Sequence, residues 1–491
     1  MPVRFRAFFH EHGEIVRHLK LNIIFYENVL EYYTVDVYTP ASGEIKQERS
    51  LTMFLKNLYI DPGTGGMLFT VLFGIFGVVI FSVRAFMMKL KYSATGEKNA
   101  KLFSTKIPIV IFAESKRYWN TFEPILDEFE KKKQKIVYMT CSKDDPVFDK
   151  KYKYITGEFI GEGNKAYSKL NLLNASVVLS STPSLDVFQW KRSKNVDCYI
   201  HIPHMASDII LYRMFSVDHF DAIILPGIYQ EEPLRQLEKI RKMEPRDMEL
   251  CGIPYMDEMK KRLEASGEVP PHERTVLLAP TWGENGILSK YGERLIDALV
   301  STGYKVIVRP HPQSFTTEKE IIDRLTSKYN DPSKVEWNRD NDNFEVLRMS
   351  DILISDFSGV IFDFALVFNK PVIYTDPSTI DTGVFDAYWI KETPWTFRIL
   401  PELGIELSED NVDNIKDIID KCIEDPSFKK GREIARSESW GYIGEGAKRS
   451  ADYVIKKYNE VVKKKKQAEK VKARNAKKAG KRKFTLAKSR S

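Results

Sequence analysis

The chain has little cysteine, with four residues among 491 and no Cys-x-x-Cys pair. The four are scattered, at Cys141, Cys198, Cys251 and Cys422. A disulfide framework uses an even set of closely spaced cysteines, and structural zinc sites use paired ones. The sequence therefore predicts neither, and a reducing cytosol is the simpler environment.

Histidine is also scarce, with eight residues, and no metal motif is evident. Asp144 and Asp145 follow an apolar run and could imitate a metal-binding pair, but Pro146 after them favours a turn. Residues 340–343, Asp-Asn-Asp-Asn, lack the glycine and the downstream glutamate of a calcium loop. We expect no metal and no cofactor.

The positive charge is concentrated at one end of the chain. The net charge is +7, but residues 463–491 contain fourteen Lys or Arg and one Glu, which leaves about −6 for everything before them. The segment has almost no apolar residues, so it is predicted to be a disordered basic tail in water. A tail of this kind binds anionic membrane lipids or nucleic acid. We favour lipids and consider nucleic acid unlikely, because a second feature places the chain at a membrane.

That feature is an uncharged run of 19 residues at 65–83. As a helix it would be about 28 Å long, which matches the hydrocarbon core of a bilayer. Basic residues follow it closely, so the positive-inside rule places the C-terminal side in the cytoplasm. We expect a single-pass protein of the cell membrane whose large C-terminal part is cytoplasmic. A buried core helix is the alternative; a cleaved signal peptide is disfavoured, because the run lies too deep in the chain and lacks a small-residue cleavage site. Met53 is an alternative start to Met1.

The chain then sorts into α/β segments. Short apolar, β-branched runs alternate with amphipathic helical patterns, which is typical of parallel sheets. A possible amphipathic helix near 14–34 precedes the membrane run. The predicted organisation is listed in order: N-terminal extension 1–60, transmembrane helix 61–88, linker 89–105, N-terminal Rossmann-like domain 106–250, C-terminal Rossmann-like domain 251–430, crossing helix 431–462 and basic tail 463–491.

Two strand-to-loop segments carry the chemistry. The first, 306–312, ends in Arg-Pro-His-Pro; the second, 355–364, is Ser-Asp-Phe-Ser-Gly-Val-Ile-Phe-Asp-Phe. Open α/β sheets bind ligands at the carboxyl ends of their strands. Small residues before a helix make an anion site, because the free N–H groups and the helix dipole both favour negative charge. The two loops predict one nucleotide diphosphate held between them.

These segments resemble the CDP-glycerol glycerophosphotransferase family, whose members build teichoic-acid-like polymers on a GT-B fold. The resemblance covers roughly residues 106–455 and rests on Pro-Thr-Trp at 280–282, Arg-Pro-His-Pro at 309–312 and the Ser-Asp-Phe-Ser to Lys-Pro segment at 355–371. It implies two Rossmann-like domains that face a central cleft, with an N-terminal acceptor domain at 106–250 and a C-terminal nucleotide-donor domain at 251–430. The chain departs from the family pattern at Gly283, where an Arg is common, and at Gly359, where a second Ser is common.

The resemblance assigns roles to two histidines. His204 matches the family's general base on the acceptor hydroxyl, with Met205 in place of the usual Gly. A base with a pKa near 7 suits that step; the alternative is a residue that only caps a strand end. His201 is interpreted as a core or supporting group. His311 matches the histidine that stabilises the donor phosphate.

The remaining candidates would bind the donor. Arg309 would face the diphosphate, or else form a salt bridge beneath its loop. Ser355, Ser358 and Gly359 would surround the phosphate, although serine is also favoured there as a helix cap. Asp363 would bond a ribose hydroxyl, in preference to Asp356. Thr281 would donate to the donor phosphate.

The resemblance therefore implies a membrane-anchored transferase. It would move glycerol phosphate, or a related polyol phosphate, from CDP-glycerol or a similar CDP-polyol donor to a lipid-linked or glycan acceptor in cell-envelope polymer synthesis. A nucleotide-sugar glycosyltransferase or epimerase-like GT-B enzyme is the alternative, because of Gly283 and Gly359. A membrane-tethered scaffold is the non-enzymatic alternative, which the presence of both His204 and His311 disfavours.

Overall fold

The computed structural model describes residues 3–6, 19–23, 33–38, 45–48, 83, 105–340 and 342–488. The chain divides into two units, Met1–Ala94 and Thr95–Ser491. The predicted membrane run at 65–83 lies outside the described residues, apart from Val83. Among the residues that are described, no helix is both long enough and apolar enough to span a bilayer.

The described residues of the first unit include an antiparallel sheet of four strands in sequential order. Its strands are β1 (Val3–Arg6), β2 (Leu19–Ile23), β3 (Tyr33–Tyr38) and β4 (Ile45–Glu48). The helix expected near 14–34 is therefore wrong where residues are described, because β2 lies inside that range and β3 begins at its end. The sequence of β3 alternates polar and apolar residues, and this period of two suits a strand rather than a helix.

The second unit begins with a seven-stranded parallel sheet in the order β11-β10-β9-β8-β5-β6-β7. Its strands are β5 (Ile107–Ala113), β6 (Ile136–Thr140), β7 (Ile155–Phe159), β8 (Ala175–Ser180), β9 (Val196–His201), β10 (Ala222–Leu225) and β11 (Asp247–Leu250). The helices among them are α1 (Trp119–Lys131), α2 (Asn164–Leu170) and α3 (Glu231–Ile240). The central strands are buried on both faces, as their continuous apolar sequences require.

A six-stranded parallel sheet follows, in the order β14-β13-β12-β15-β16-β17. Its strands are β12 (Thr275–Leu278), β13 (Lys305–Val308), β14 (Val335–Trp337), β15 (Ile352–Ser355), β16 (Val372–Thr375) and β17 (Gly404–Leu407). The helices of this part are α4 (Pro254–Ala265), α5 (Ile287–Lys290), α6 (Gly292–Ser301), α7 (Ser314–Thr317), α8 (Lys319–Lys328), α9 (Phe344–Met349), α10 (Val360–Phe362), α11 (Trp395–Arg398), α12 (Leu400–Leu403), α13 (Ile415–Glu424) and α14 (Ser427–Ser439).

Both parallel sheets have the doubly wound order, with the first strand in the middle. In each, the chain runs outward in one direction, returns to the centre and then runs outward in the other. The direction reverses between β5 and β8 in the first sheet and between β12 and β15 in the second. Ligands bind at such switch points, outside the carboxyl ends of the strands. The topology therefore selects the loops after these strands as the place to look for a site.

After α14 the chain returns to the seven-stranded parallel sheet. Helix α15 (Gly446–Lys488) begins there and buries Ala451, Tyr453 and Val454 against that sheet and α1. The crossing requires glycine: Gly252 has φ +97°, and a Cβ at this position would lie 2.1 Å from the carbonyl oxygen of Gly441. The two backbones can therefore pass only where the side chain is absent.

The prediction of a disordered basic tail differs from the structure, in which α15 continues through residues 463–488. Low apolar content predicts that a segment cannot form its own core, but it does not exclude extension of a helix that is already packed. Nucleation is the costly step of helix formation, and the buried turns of α15 provide the nucleus here. Lys, Ala, Arg and Glu then extend the helix well because they are strong helix formers.

Candidate active site

Asp356 organises the loops at the switch point of the second sheet. It follows β15, is fully buried, and accepts hydrogen bonds from the backbone N–H groups of Thr281 (2.9 Å), Ile287 (3.1 Å) and Phe357 (2.9 Å). Burial raises the pKa of its carboxyl, and these N–H groups oppose that shift. Asp356 thus fixes the loop after β12 to the loop after β15, and is a structural residue.

The departure from the family pattern at Gly283 has a backbone explanation. Gly283 has φ +103°, a conformation that side chains rarely adopt. Its N–H donates to the carboxylate of Glu318 at 3.0 Å, and Ser289 donates to the same carboxylate oxygen at 3.0 Å. The loop that carries Thr281 is therefore fixed to the start of α8. Thr281 lies half-buried beside it.

Ser355 is placed differently from the prediction that it binds the donor. Its side chain is fully buried, and its hydroxyl donates to the carbonyl oxygen of Ala279 at 2.6 Å. Ser355 is the last residue of β15, and Ala279 directly follows the neighbouring strand β12. The structure therefore gives Ser355 a role in packing between neighbouring strands.

Ser358 and Gly359 begin a short, irregular helix. Helix α10 runs Val360–Phe362 and continues as a π-helical segment, Asp363–Val367. Such π segments are rare and often occur at functional sites. A Cβ at Gly359 would lie 3.5 Å from the sulfur of Met205, so the loop after β9 lies next to this helix start. The loop that carries His204 is thereby brought to the helix where the sequence predicts the donor phosphate.

His204 lies on the same loop as Met205, one residue before it. Its ring packs edge-on against Tyr118, with centroids 5.0 Å apart. Its Nδ1 is buried and has no hydrogen-bond partner among the described residues. Burial lowers the pKa of His204 to about 4, below the value near 7 expected from the sequence. The imidazole is therefore neutral at physiological pH and able to accept a proton.

His201 is a core residue. It is fully buried and its ring packs against Tyr212 and Phe220, with centroids 5.7 and 5.0 Å away. Burial lowers its pKa to about 3. A neutral ring enclosed by aromatic side chains cannot reach a substrate.

His311 has a defined orientation after β13. Its Nδ1 accepts the N–H of Gln313 at 3.1 Å, so the neutral ring carries its proton on Nε2. Burial lowers the pKa of His311, the charge of Arg117 lowers it further, and Glu318 opposes both. His311 is thus a neutral donor through Nε2, a suitable partner for a phosphate oxygen.

Arg117 is a residue that the sequence analysis missed. It belongs to a single turn, Lys116–Tyr118, directly after β5, and its exposed guanidinium is near enough to His311 to affect it electrostatically. The same turn supplies Tyr118 to His204. The signal that could have found it is its position at the switch point of the first sheet, where a basic residue follows a buried strand.

Arg309 has hydrogen-bond partners within the protein, and its role toward the diphosphate stays a prediction. Its guanidinium donates to the side chain of Asn338 and, at 2.7 Å, to the carbonyl oxygen of Asp340. The alternative interpretation, a bond beneath the loop, is therefore closer to the structure, although its partners are neutral oxygens rather than a carboxylate. Pro310 turns the chain immediately afterwards, so the arginine stabilises the loop after β14.

Asp363 already has a protein partner. The hydroxyl of Tyr255 in α4 donates to its carboxylate, and burial raises the pKa of Asp363 to about 6. One lone-pair side of the carboxylate is therefore occupied. Its role toward a ribose stays a prediction. In the part of the chain that the structure describes, no cluster of three or more His, Cys, Asp or Glu residues could hold a metal ion.

Two doubly wound parallel sheets, with the loops of His204 and His311 both near the turn at 116–118, define an α/β protein with two Rossmann-like domains. Residues 109–379, more than half of the chain, match the sequence model of the CDP-Glycerol:Poly(glycerophosphate) glycerophosphotransferase family. The chain belongs to this family of transferases.

Similar proteins include two from Bacillus. The minor teichoic acid biosynthesis protein GgaB of Bacillus subtilis is 31% identical over 152 residues, which is 26% of this chain and 15% of that protein. The teichoic acid glycerol-phosphate primase of Bacillus spizizenii is 27% identical over 135 residues, 25% of this chain and 32% of that protein. The matched part thus spans less than a third of either relative.

Solved structures with a related chain trace have low identity. The wall teichoic acid polymerase TagF is 16% identical, with a TM-score of 0.48 over 78% of this chain and 99% of that one. A UDP-GlcNAc 2-epimerase of Methanocaldococcus jannaschii is 14% identical, with a TM-score of 0.47 over 67% and 98%.

Proposed function

We propose that the chain transfers glycerol phosphate, or a related polyol phosphate, from a CDP donor to an acceptor hydroxyl. The observation that supports this most is the closeness of Met205 to Gly359. His204 lies on the same loop as Met205, so we propose that it acts beside the helix start where the donor phosphate binds. Family membership supplies the chemistry, and the relatives named above act in teichoic acid synthesis.

The proposed step is a phosphoryl substitution. The acceptor oxygen attacks the β-phosphorus of the donor while its proton passes to His204, and the bond from that phosphorus to the bridging oxygen breaks. CMP leaves with the bonding electron pair. Negative charge grows on the phosphoryl oxygens and on CMP, and fixed donors lower the barrier most where charge develops. His311 through Nε2, the N–H groups near Ser358 and Gly359, and Arg117 are the donors available.

Each residue has a separate task in this proposal. His204 serves the acceptor, since it lies on the loop after β9 of the first domain. His311, Ser358, Gly359 and Thr281 serve the donor, since they follow strands of the second. The acceptor is proposed to be lipid-linked or a glycan, and the enzyme is proposed to lie at the cytoplasmic face of the cell membrane, with anionic lipids near its basic C-terminal helix.

The donor is tested by thermal stability with a panel of nucleotides on the part of the chain from about Ala100. A ligand that binds only the folded state raises the melting temperature, with about 2.7 kcal/mol of stabilisation at one hundred times Kd. We expect CDP-glycerol or CDP-ribitol to raise it more than UDP-sugars or GDP-sugars at equal concentration. A larger shift with a UDP-sugar would favour the glycosyltransferase or epimerase alternative, which the glycines at 283 and 359 keep open.

Membrane attachment is tested by washing membranes with alkaline carbonate. If the run at 65–83 spans the bilayer, the full chain stays in the pellet, because burial of about 20 apolar residues resists removal by salt or pH. The shorter chain from Ala100, which lacks the run, should be released. Recovery of the full chain in the wash supernatant would contradict the transmembrane proposal.

A further inference from the structure

The loop that carries His204 is held by a segment from the second domain. We call residues 376–398 the interdomain strap. Thr396 in the strap receives a hydrogen bond from the N–H of Asp208 at 2.8 Å, and donates its own N–H to the Asp208 carboxylate at 2.6 Å. Further along, the N–H of Asp386 donates to the carbonyl oxygen of Tyr212 at 3.1 Å. The strap thus fixes the chain at two points, Asp208 and Tyr212, which both follow His204.

The strap and the loop beside it expose large apolar side chains together. We define the aromatic patch by five residues that are 41–64% exposed: Phe215, Ile240, Val384, Tyr388 and Trp389. Their contacts show that they are neighbours.

Arg241 contacts two residues of the patch and so connects them. Its guanidinium lies over Phe215 at 4.6 Å and over Trp389 at 5.9 Å. Tyr388 and Trp389 are in edge contact, with centroids 6.1 Å apart. The N–H of Met214, next to Phe215, donates to the carbonyl oxygen of Val384 at 3.1 Å. Ile240 precedes Arg241 directly. Exposed apolar residues grouped in this way mark an interaction site, whereas isolated ones do not.

The charges around the patch identify the kind of partner. Four exposed cations surround it, and none has an ion-pair partner among the described residues: Arg213, Lys239, Lys242 and Lys391. Two exposed acids, Asp381 and Glu392, lie on the same strap, and a third, Glu244, lies two residues after Lys242, so the cations outnumber the acids by one. The surface is therefore aromatic with an excess of unpaired positive charge. Trp and Tyr favour the headgroup level of a bilayer, and Lys and Arg favour its anionic lipids.

We propose that the aromatic patch is a membrane-docking surface that inserts into the headgroup region of an anionic bilayer. This inference rests on the proposed function for its purpose: because the strap also fixes the His204 loop, docking would present that loop to an acceptor carried by a membrane lipid. It is separate from the run at 65–83 and from the basic helix α15, since it uses neither. A partner protein at this patch is the rival occupant.

The test uses the full chain in lipid nanodiscs, with Cys141 replaced by Ser to limit unwanted labelling. Tyr388→Cys is labelled with nitrobenzoxadiazole, and Ser327→Cys, exposed on α8, is the matched control. We expect the label at position 388 to shift its emission to the blue, and to be quenched by headgroup-labelled lipid, in nanodiscs that contain phosphatidylglycerol. The label at position 327 should remain in water.

Charge dependence separates docking from simple proximity. Near an anionic surface each cation contributes about fivefold in partitioning, so Arg213→Ala with Lys391→Ala should lower the docked-to-free ratio about 25-fold. Equal emission at positions 388 and 327 in all nanodiscs would overturn the proposal, as would a shift that is the same with neutral lipid alone. The fluorescence measurement needs no turnover. If the unsubstituted chain transferred no glycerol phosphate, the proposed function would be contradicted and this inference would still stand.

Discussion

His204→Ala is expected to lower the rate of transfer by about two orders of magnitude or more, the usual contribution of a general base. Its affinity for the CDP donor should stay nearly unchanged, because His204 lies on the acceptor loop. His311→Ala should lower the rate by a similar factor and also weaken donor binding, because His311 follows β13 and its Nε2 is the proposed donor to the phosphate. The contrast in affinity matters more than either rate, since any destabilising substitution lowers activity.

Calorimetric titration of the donor into folded variants measures this contrast, and circular dichroism verifies the fold. His219→Ala is the matched control: His219 is exposed, and lies away from both loops in sequence. Near-wild-type turnover by His204→Ala, with a competent acceptor, would show that the proposed base is wrong. Loss of donor affinity in His204→Ala alone would reverse the division of tasks.

The pH profile gives a second test of the same base. Burial holds the pKa of His204 at about 4 in the folded chain, so the free enzyme carries an unprotonated base at any pH above about 5. The acid limb of kcat/KM that depends on His204 should therefore fall near pH 4, not near the ordinary histidine value of about 6.5. A limb near 6.5 that disappears in His204→Ala would mean that the ring is solvated in the working enzyme.

Asp386→Ala is expected to destabilise the folded chain by about 3–5 kcal/mol. The Asp386 side chain is 0% exposed and pairs with Arg241, which is 9% exposed and also pairs with Asp218 at 2.6 Å. Asp386 further accepts the N–H of Phe215 at 2.9 Å. Its removal leaves part of a buried charge and a backbone donor without a partner, and unpaired buried groups are costly.

Denaturant unfolding of the two variants measures the difference. Asp381→Ala lies on the same strap and is exposed, with a bond to the N–H of Gly383 at 2.8 Å, so it should cost less than about 1 kcal/mol. Equal stability of the Asp386 and Asp381 variants would show that the strap is not held by the Arg241 pair. The hydrogen bonds between Thr396 and Asp208 would then be the main anchor of the His204 loop.

The strands and loops of the site could be predicted because buried parallel strands are continuous apolar runs. Residues 306–308 and 352–355 are such runs, and polar loops follow both. The placement of Arg309 and Ser355 could not be predicted, because each depends on a neighbour distant in sequence: Asn338 and Asp340 for the arginine, Ala279 for the serine. Arg117 was missed because its closeness to His311 arises only when two domains meet.

The terminal regions show a different limit. The sequence of β3 alternates with a period of two, but the strand is short. The longer window before it was therefore predicted to be a helix. In the C-terminal region, composition alone predicted disorder, whereas α15 inherits its start from Ala451, Tyr453 and Val454 packed on the first sheet. Local sequence cannot reveal that a helix is nucleated elsewhere.

The nucleotide released during turnover tests the central claim most directly. The full chain is supplied with CDP-glycerol and a lipid-linked or glycan acceptor, and the products are analysed by mass spectrometry. The proposal predicts that CMP is released in equal amount to acceptor that has gained one glycerol phosphate, because the bond to the β-phosphorus is the one that breaks. Release of UDP from a UDP-sugar, with no CMP formed from CDP-glycerol by a folded, donor-saturated enzyme, would contradict it.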